Sequence, residues 1–424
     1  MNGVASGGAS DVVVMREDAT GISVQTNVLV GFSGAIQIGG TGELAHYYVA
    51  NAANLHQVDL SALPMDKDIS SGEASYLIIS HPDFIGAGLL EDLQSDLIVE
   101  HGSAQIVDVE LIYAQYGGHV FDPAAIQAFI KESVEERGTQ NVLLVGGDVY
   151  DYRQFENEDA TSFIPSIYAA TGRSISFAPV DAKYVDLDDD NVPDLPIGRL
   201  PVRTNEQLRS LLSKRDSYLT RDYQGEVLLV ADAFDELQQY DFGGDAQHIS
   251  NSYLTAFNAD EVYLDDVLAS GQFARDARNQ IAASINEGKS LTSFFGHSST
   301  NQWSFTGLFS GNDAAGLNNV GRPTVVTQWG CWNAYYVNPN EDSMGHRFMM
   351  EGDQGAVAVM GATTLTNAAS ERRLAELVFA GISEGKTIGN AITDAKQEYA
   401  EDYPNDLDVL LGWTLLGLPD LVIN

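Results

Sequence analysis

Cysteine is almost missing from this sequence: 424 residues contain one, Cys331. A single thiol makes neither an internal disulfide nor a thiolate zinc site, which leaves packing, helped at most by a hard cation, to hold the fold. Basic residues are also few. Against 60 Asp and Glu stand 22 Lys and Arg, a formal charge of -38, so a polyanion meets repulsion at this surface instead of counterion release. Nucleic acid and anionic membrane are thereby poor partners. No apolar run reaches the roughly 20 residues of a membrane span, and the start, Met1 to Gly8, has neither the basic nor the apolar region of a signal peptide. Its Gly- and Ser-rich composition also fits an interior piece of a longer precursor. No repeat of fixed period occurs, which argues against solenoids and propellers. His46, His56, His81, His101, His119, His248 and His346 form no closely spaced pair, so no zinc site is expected from them.

What is present is a globular composition, 44% hydrophobic, on a chain long enough for two or three domains. Residues 1–70 read as an accessory β module and linker: short β-like runs (Val12 to Val14, Val24 to Val30, Ala35 to Ile38, Tyr47 to Val49) and then an aperiodic stretch from Gln57 to Ser75. From about residue 71 apolar strands alternate with helical stretches, the signature of an α/β fold with a mostly parallel sheet. Tyr76 to Ile79, Ala104 to Ile112, Val142 to Val145 and Leu195 to Ile197 supply strands of a first α/β subdomain, 71–222. Asp122-Pro123 and Thr204 open its helices. A second set, 223–424, has strands near Glu226 to Ala231, Glu261 to Leu264, Ser290 to Phe295, Thr324 to Gln328 and Ala356 to Met360. Two tandem, mostly parallel sheets flanked by helices are expected.

Two strand ends in the second half each deliver one reactive residue past a glycine: Phe294-Phe295-Gly296-His297 and Gln328-Trp329-Gly330-Cys331. If these strands are parallel neighbours, His297 and Cys331 meet at the carboxyl edge of the sheet, where open α/β folds carry their sites. Their separation of 34 residues fits a crossover. A thiol beside an imidazole is the arrangement of nucleophilic catalysis: the imidazole takes the thiol proton or stabilises the thiolate, then protonates the leaving amine. The main-chain N–H groups of Ser298 and Cys331 are candidate donors to the oxyanion of a tetrahedral intermediate. A lone cysteine is otherwise a small buried hydrophobe.

The ordered series Val142 to Asp148, Asp194 to Arg199, Gln247-His248, Gly296-His297 with Trp303 following, the Cys331 block, Gly355 to Val359 and Trp413 to Gly417 resembles the gingipain-type cysteine peptidases of the caspase-like clan. The resemblance runs from about Tyr76 to Asn424 and decides for Cys331 as nucleophile and His297 as acid–base. It departs from the family pattern at Ser298, where Gly is usual, at Gly417-Leu418-Pro419, where Gly-Asp-Pro is usual, and at the bulky Trp329 and Trp332, which either narrow the cleft or mark a weakened enzyme.

The resemblance also implies a caspase-like, gingipain-like fold, a peptide or protein substrate, no organic cofactor, and a secreted or cell-surface bacterial enzyme. By the same resemblance Asp181 is a candidate pocket carboxylate selecting Arg or Lys, against the alternative that it ties a turn. Trp303 is either a pocket wall or a core anchor. Asp148 is either the carboxylate orienting His297 or a turn cap. Asp186, Asp188 and Asp190, with Asp194 following, alternate as oxygen ligands around Ca²⁺ would, and the family's structural calcium supports that reading. An acidic, solvated loop is the alternative. Two rival functions share these residues: a sortase-like transpeptidase, in which an amine resolves the acyl-enzyme, and a catalytically silent, calcium-dependent surface module.

Overall fold

The computed structural model describes residues 12–18, 21–31, 35–39, 44–54, 67–157 and 159–424. Contacts divide the chain into two units, Met1–Leu63 and Pro64–Asn424. In the first unit, strands Gly21–Val24 and His46–Asn51 both pair antiparallel with Val12–Asp18, and Val28–Val30 pairs antiparallel with Ile36–Ile38. Gly3 to Gly8, His56, and the linker candidate from Gln57 to Asp66 lie outside the described residues.

In the second unit ten strands form one sheet: β1 (Tyr76–Ser80), β2 (Ala104–Asp108), β3 (Asn141–Val145), β4 (Ile197–Leu200), β5 (Glu226–Ala231), β6 (Asn258–Tyr263), β7 (Leu291–Phe295), β8 (Thr324–Trp329), β9 (Ala356–Ala362) and β10 (Trp413–Leu416). Their order is β6-β5-β7-β8-β9-β10-β4-β3-β1-β2. All neighbours are parallel except β9 with β10. β1, β3, β7, β8 and β9 are buried along their whole length, because helices cover both faces of such a sheet, and their sequences do not alternate; the polar residues in β7 and β8, Thr292, Ser293, Thr324, Thr327 and Gln328, are buried with hydrogen-bond partners.

The fold is the expected α/β architecture, with one correction. The two strand sets do not make separate sheets: β10 enters between β9 and β4, antiparallel to the first and parallel to the second, and joins them edge to edge. An open edge on either set would leave a row of unpaired N–H and C=O groups, and the join removes both. A second difference lies at residues 104–112, where the extended run stops at Asp108. Its carboxylate accepts the Glu110 N–H and starts a helix, Val109–Tyr116. Asp122 and Thr204 cap helices Pro123–Arg137 and Asn205–Leu219 as their sequence positions suggest. Among the described residues no helix is long and apolar enough to cross a membrane.

Candidate active site

β7 and β8 are parallel neighbours, paired from Leu291 opposite Val325 to Phe295 opposite Trp329. Each continues through one glycine to a reactive residue, so His297 and Cys331 stand in the same register just beyond the ladder, at the carboxyl edge of the sheet. The Gly296 N–H extends the pairing to the Trp329 carbonyl at 3.0 Å. Crowding requires both glycines. A Cβ on Gly330 would lie 2.3 Å from the Gly296 oxygen, and one on Gly296 would lie 2.4 Å from Asp232 Cβ.

The His297 ring stacks on Phe305, with centroids 4.7 Å apart, and meets the Phe242 ring edge-on at 5.2 Å. Its Nε2 lies 2.8 Å from Asp235 Oδ2. Asp235 is itself fixed, because Oδ1 accepts the Leu237 and Gln238 N–H groups at 2.8 and 3.0 Å. The hydrogen bond to His297, followed by these amides, holds its carboxyl below the ordinary range. A carboxylate on Nε2 puts the ring proton there and leaves Nδ1 for the chemistry.

The Cys331 sulfur is half-buried. It lies 3.4 Å from both the backbone N–H and the hydroxyl of Thr366. Burial pushes the thiol up, the negative charge of Glu371 adds to this, and the two Thr366 contacts oppose it. Glu371, 5% exposed, shares the Thr366 hydroxyl in a short hydrogen bond. Burial, then the charges of Asp408 and Asp245, push Glu371 up to about 7 against the Thr366 bond. Thr366 has one hydroxyl proton and two acceptors, so the charge on Glu371 and the state of the thiol are linked through it.

Ser298, where the family pattern has Gly, braces the nucleophile's turn. Its hydroxyl donates to the Cys331 carbonyl at 2.7 Å and accepts from Asn333 Nδ2 at 3.1 Å. Asn333 Nδ2 also bonds the Gly330 carbonyl at 2.9 Å, and its Oδ1 accepts the Ala362 N–H. Within this clamp Trp332 adopts a left-handed φ of 60°, a conformation that costs a non-glycine residue about 1–3 kcal/mol and persists only when its surroundings impose it.

Four further expectations are corrected by where the side chains sit. Asp181 is no pocket floor: it is 2% exposed, paired on both oxygens with Arg199 at 2.7 Å, and accepts the Tyr336 hydroxyl at 2.9 Å. Asp148 does not orient His297. It is buried under Ser162 (2.6 Å), the Ser166 N–H (2.9 Å), Tyr168 (3.0 Å) and Tyr152 (3.2 Å), and Asp235 takes the orienting position. Trp303 is a core anchor, stacked on Phe294 at 4.7 Å with its N–H on Gln328. Trp329 is likewise buried, against Phe379 and Trp413, with its N–H on Ser293. Trp332 alone of the three tryptophans is half-buried beside Cys331.

In the acidic loop, carboxylate oxygens of Asp186, Asp188 and Asp194 lie within 4.8 Å of one another. Asp190 is not in that group; its Oδ1 accepts the Val192 N–H. Three converging carboxylates fit a hard cation, although Lys183 Nζ already sits 2.7 Å from one Asp186 oxygen.

The model of peptidase family C25 matches residues 69–424. Among solved structures, the Arg-specific cysteine proteinase gingipain R superposes with a TM-score of 0.66 at 19% identity, over 85% of this chain and 80% of that one. The complex of Porphyromonas gingivalis RgpB pro- and mature domains gives 0.64 at 20%, over 83% and 80%, and a structure described as a protease gives 0.62 at 13%, over 84% and 79%. No curated protein matches. At these identities the superpositions speak for the fold, and the family match speaks for lineage. With strands, glycines, histidine and cysteine in one register, the chain belongs to peptidase family C25 and is a cysteine peptidase of gingipain type.

Proposed function

We propose that this protein is an endopeptidase in which Cys331 attacks the scissile carbonyl and His297 moves the protons. The observation that carries the proposal is the register of β7 and β8, which ends the two strands in His297 and Cys331, with Asp235 on the imidazole. His297 Nδ1 accepts the thiol proton, the sulfur–carbon bond forms, and the carbonyl electrons move onto oxygen, toward the N–H groups of Ser298 and Cys331. The imidazolium then gives its proton to the leaving amine as the carbon–nitrogen bond breaks. Water, deprotonated by the same Nδ1, releases the acid and restores the thiol. Asp235 holds Nε2–H throughout and stabilises the imidazolium.

A preference for Arg or Lys has no support from Asp181, whose charge is neutralised by Arg199. The reading of the Asp186, Asp188 and Asp194 loop as a structural calcium site stands on its convergent oxygens. Export from a bacterial cell is compatible with the absence of cysteine pairs, because packing alone can hold an exported fold. The deciding experiment is peptide cleavage together with labelling by an acyloxymethyl ketone. Wild type should cleave and label, Cys331→Ala should do neither, and His297→Ala should lose labelling. Labelling that persists in Cys331→Ala, or cleavage that does, would reject the mechanism. Transpeptidation would instead yield products carrying the mass of an added amine.

A further inference from the structure

Beyond Cys331 the carboxyl edge continues as a cluster of aromatic rings. Trp332 meets Tyr335 edge to face, with centroids 5.1 Å apart, and Tyr335 is one wall of a cavity of about 430 Å³ whose other walls are Tyr150, Tyr152, Tyr168 and Phe177. The Tyr150 N–H bonds the Val337 carbonyl at 3.1 Å, so the loop after β3 is tied to the loop after the nucleophile. The cavity falls in the size range of ligand pockets. Phe177 is 73% exposed and Tyr152 47%, and large rings gathered and left open on one face mark a binding surface.

Three of the four tyrosine hydroxyls of this cluster are already engaged by protein carboxylates. Tyr152 and Tyr168 both donate to Asp148 Oδ2, and Tyr150 donates to Glu156. From Tyr150, Tyr152, Tyr168 and Phe177 a ligand therefore meets mainly ring carbon. The carboxylates behind the rings are engaged as well: Asp148 also accepts from Ser162 and Ser166, and Glu156 from Asn340. Asp148 is buried beneath the rings, so an entering cation would reach ring faces and not that carboxylate, whereas an aromatic ring would find offset and edge-on partners among the five rings.

We infer that this cavity is a substrate subsite for an aromatic side chain, Phe, Tyr or Trp, near the scissile bond. The inference rests on the peptidase reading and supplies its substrate class. Trp332, in its forced left-handed conformation, is the link between subsite and nucleophile. The test is a cleavage profile over peptides carrying Phe, Trp, Leu, Lys or Ala at each position flanking the cut. At one position aromatics should exceed Ala in kcat/KM by about tenfold, and Tyr335→Ala and Phe177→Ala should each erase that preference, chiefly through KM. A preference for Lys erased by the same variants would make the cavity a cation site and overturn the inference, as would an aromatic preference that survives both. Binding separates pocket from chemistry. A 4-fluorophenylalanine peptide added to Cys331→Ala protein should show fluorine line broadening, lost when Phe177→Ala is combined with it. Binding with no cleavage by wild type keeps the subsite and sinks the peptidase reading; cleavage without binding does the reverse; neither overturns both.

Discussion

The sheet has two carboxyl-edge sites built on one plan, and they differ in how their polar groups are used. After β3 the chain reads Val145-Gly146-Gly147-Asp148, and after β7 it reads Phe295-Gly296-His297. In the first, the charged groups Asp148, Asp181 and Arg199 are buried and paired inward. Arg199 binds Asp181 through two nitrogens and also reaches the carbonyls of Gly146 and Ile164 at 2.9 and 2.8 Å, with its guanidinium 5.1 Å from the Tyr336 ring centre. In the second, His297 is held by one carboxylate and Cys331 by one threonine, and each keeps a valence in hand. A saturated network stabilises; one left incomplete at a half-buried edge reacts.

This contrast is open to direct attack. The largest separation is expected from Asp235→Asn, which should lower kcat by about 10²–10⁴-fold by mis-setting the imidazole proton while leaving the urea unfolding midpoint nearly unchanged. Parallel kinetics and urea denaturation check it, and a variant that keeps kcat would demote Asp235. Arg199→Leu should do the opposite. It strands a buried carboxylate at a cost of about 3–5 kcal/mol and leaves kcat per folded, titrated site intact.

Glu371 lies between the two behaviours. Folded, it keeps its proton up to about pH 7; unfolded, it loses it near 4.3. Between those values the folded state holds the extra proton, so stability falls as pH rises through this window, by on the order of 3 kcal/mol. Glu371→Gln should flatten that slope in denaturation at pH 5 and pH 8. Removing the charge should also lower the thiol's pKa and quicken alkylation of Cys331 at neutral pH. Equal slopes in both proteins would break the link. The smallest effect belongs to the acidic loop, where saturating calcium should add about 2–3 kcal/mol. An unchanged melting midpoint with chelator would leave Asp186, Asp188 and Asp194 as a solvated turn.

Much of this was legible in the sequence, and for physical reasons. Strands buried on both faces show β-forming residues without alternation, so Glu226 to Ala231 and Thr324 to Gln328 could be read almost to the residue, and the reactive residues simply follow them. Asp235 could not be read. It is one of 60 acidic residues, on a loop, and its meeting with His297 spans 62 positions. Asp181 misled because a carboxylate before a tyrosine looks the same whether its cation is a substrate or Arg199. Trp303 and Trp329 misled because their indole N–H groups find Gln328 and Ser293 inside the core, which position alone does not disclose. β10 was visible as a motif, but its role as the join depends on partners from both halves.

That join has a consequence in time. β10 pairs Leu416 with Arg199 on one side and with Val359 on the other, so the middle of the sheet is filled by its last strand in chain order. During synthesis, at about 5–20 residues per second, β4 and β9 must wait as open edges, the kind that invite pairing with the wrong chain. The centre of this sheet is therefore completed by its last strand, and a chain cut short before Trp413 would leave two sticky halves instead of a slightly smaller sheet.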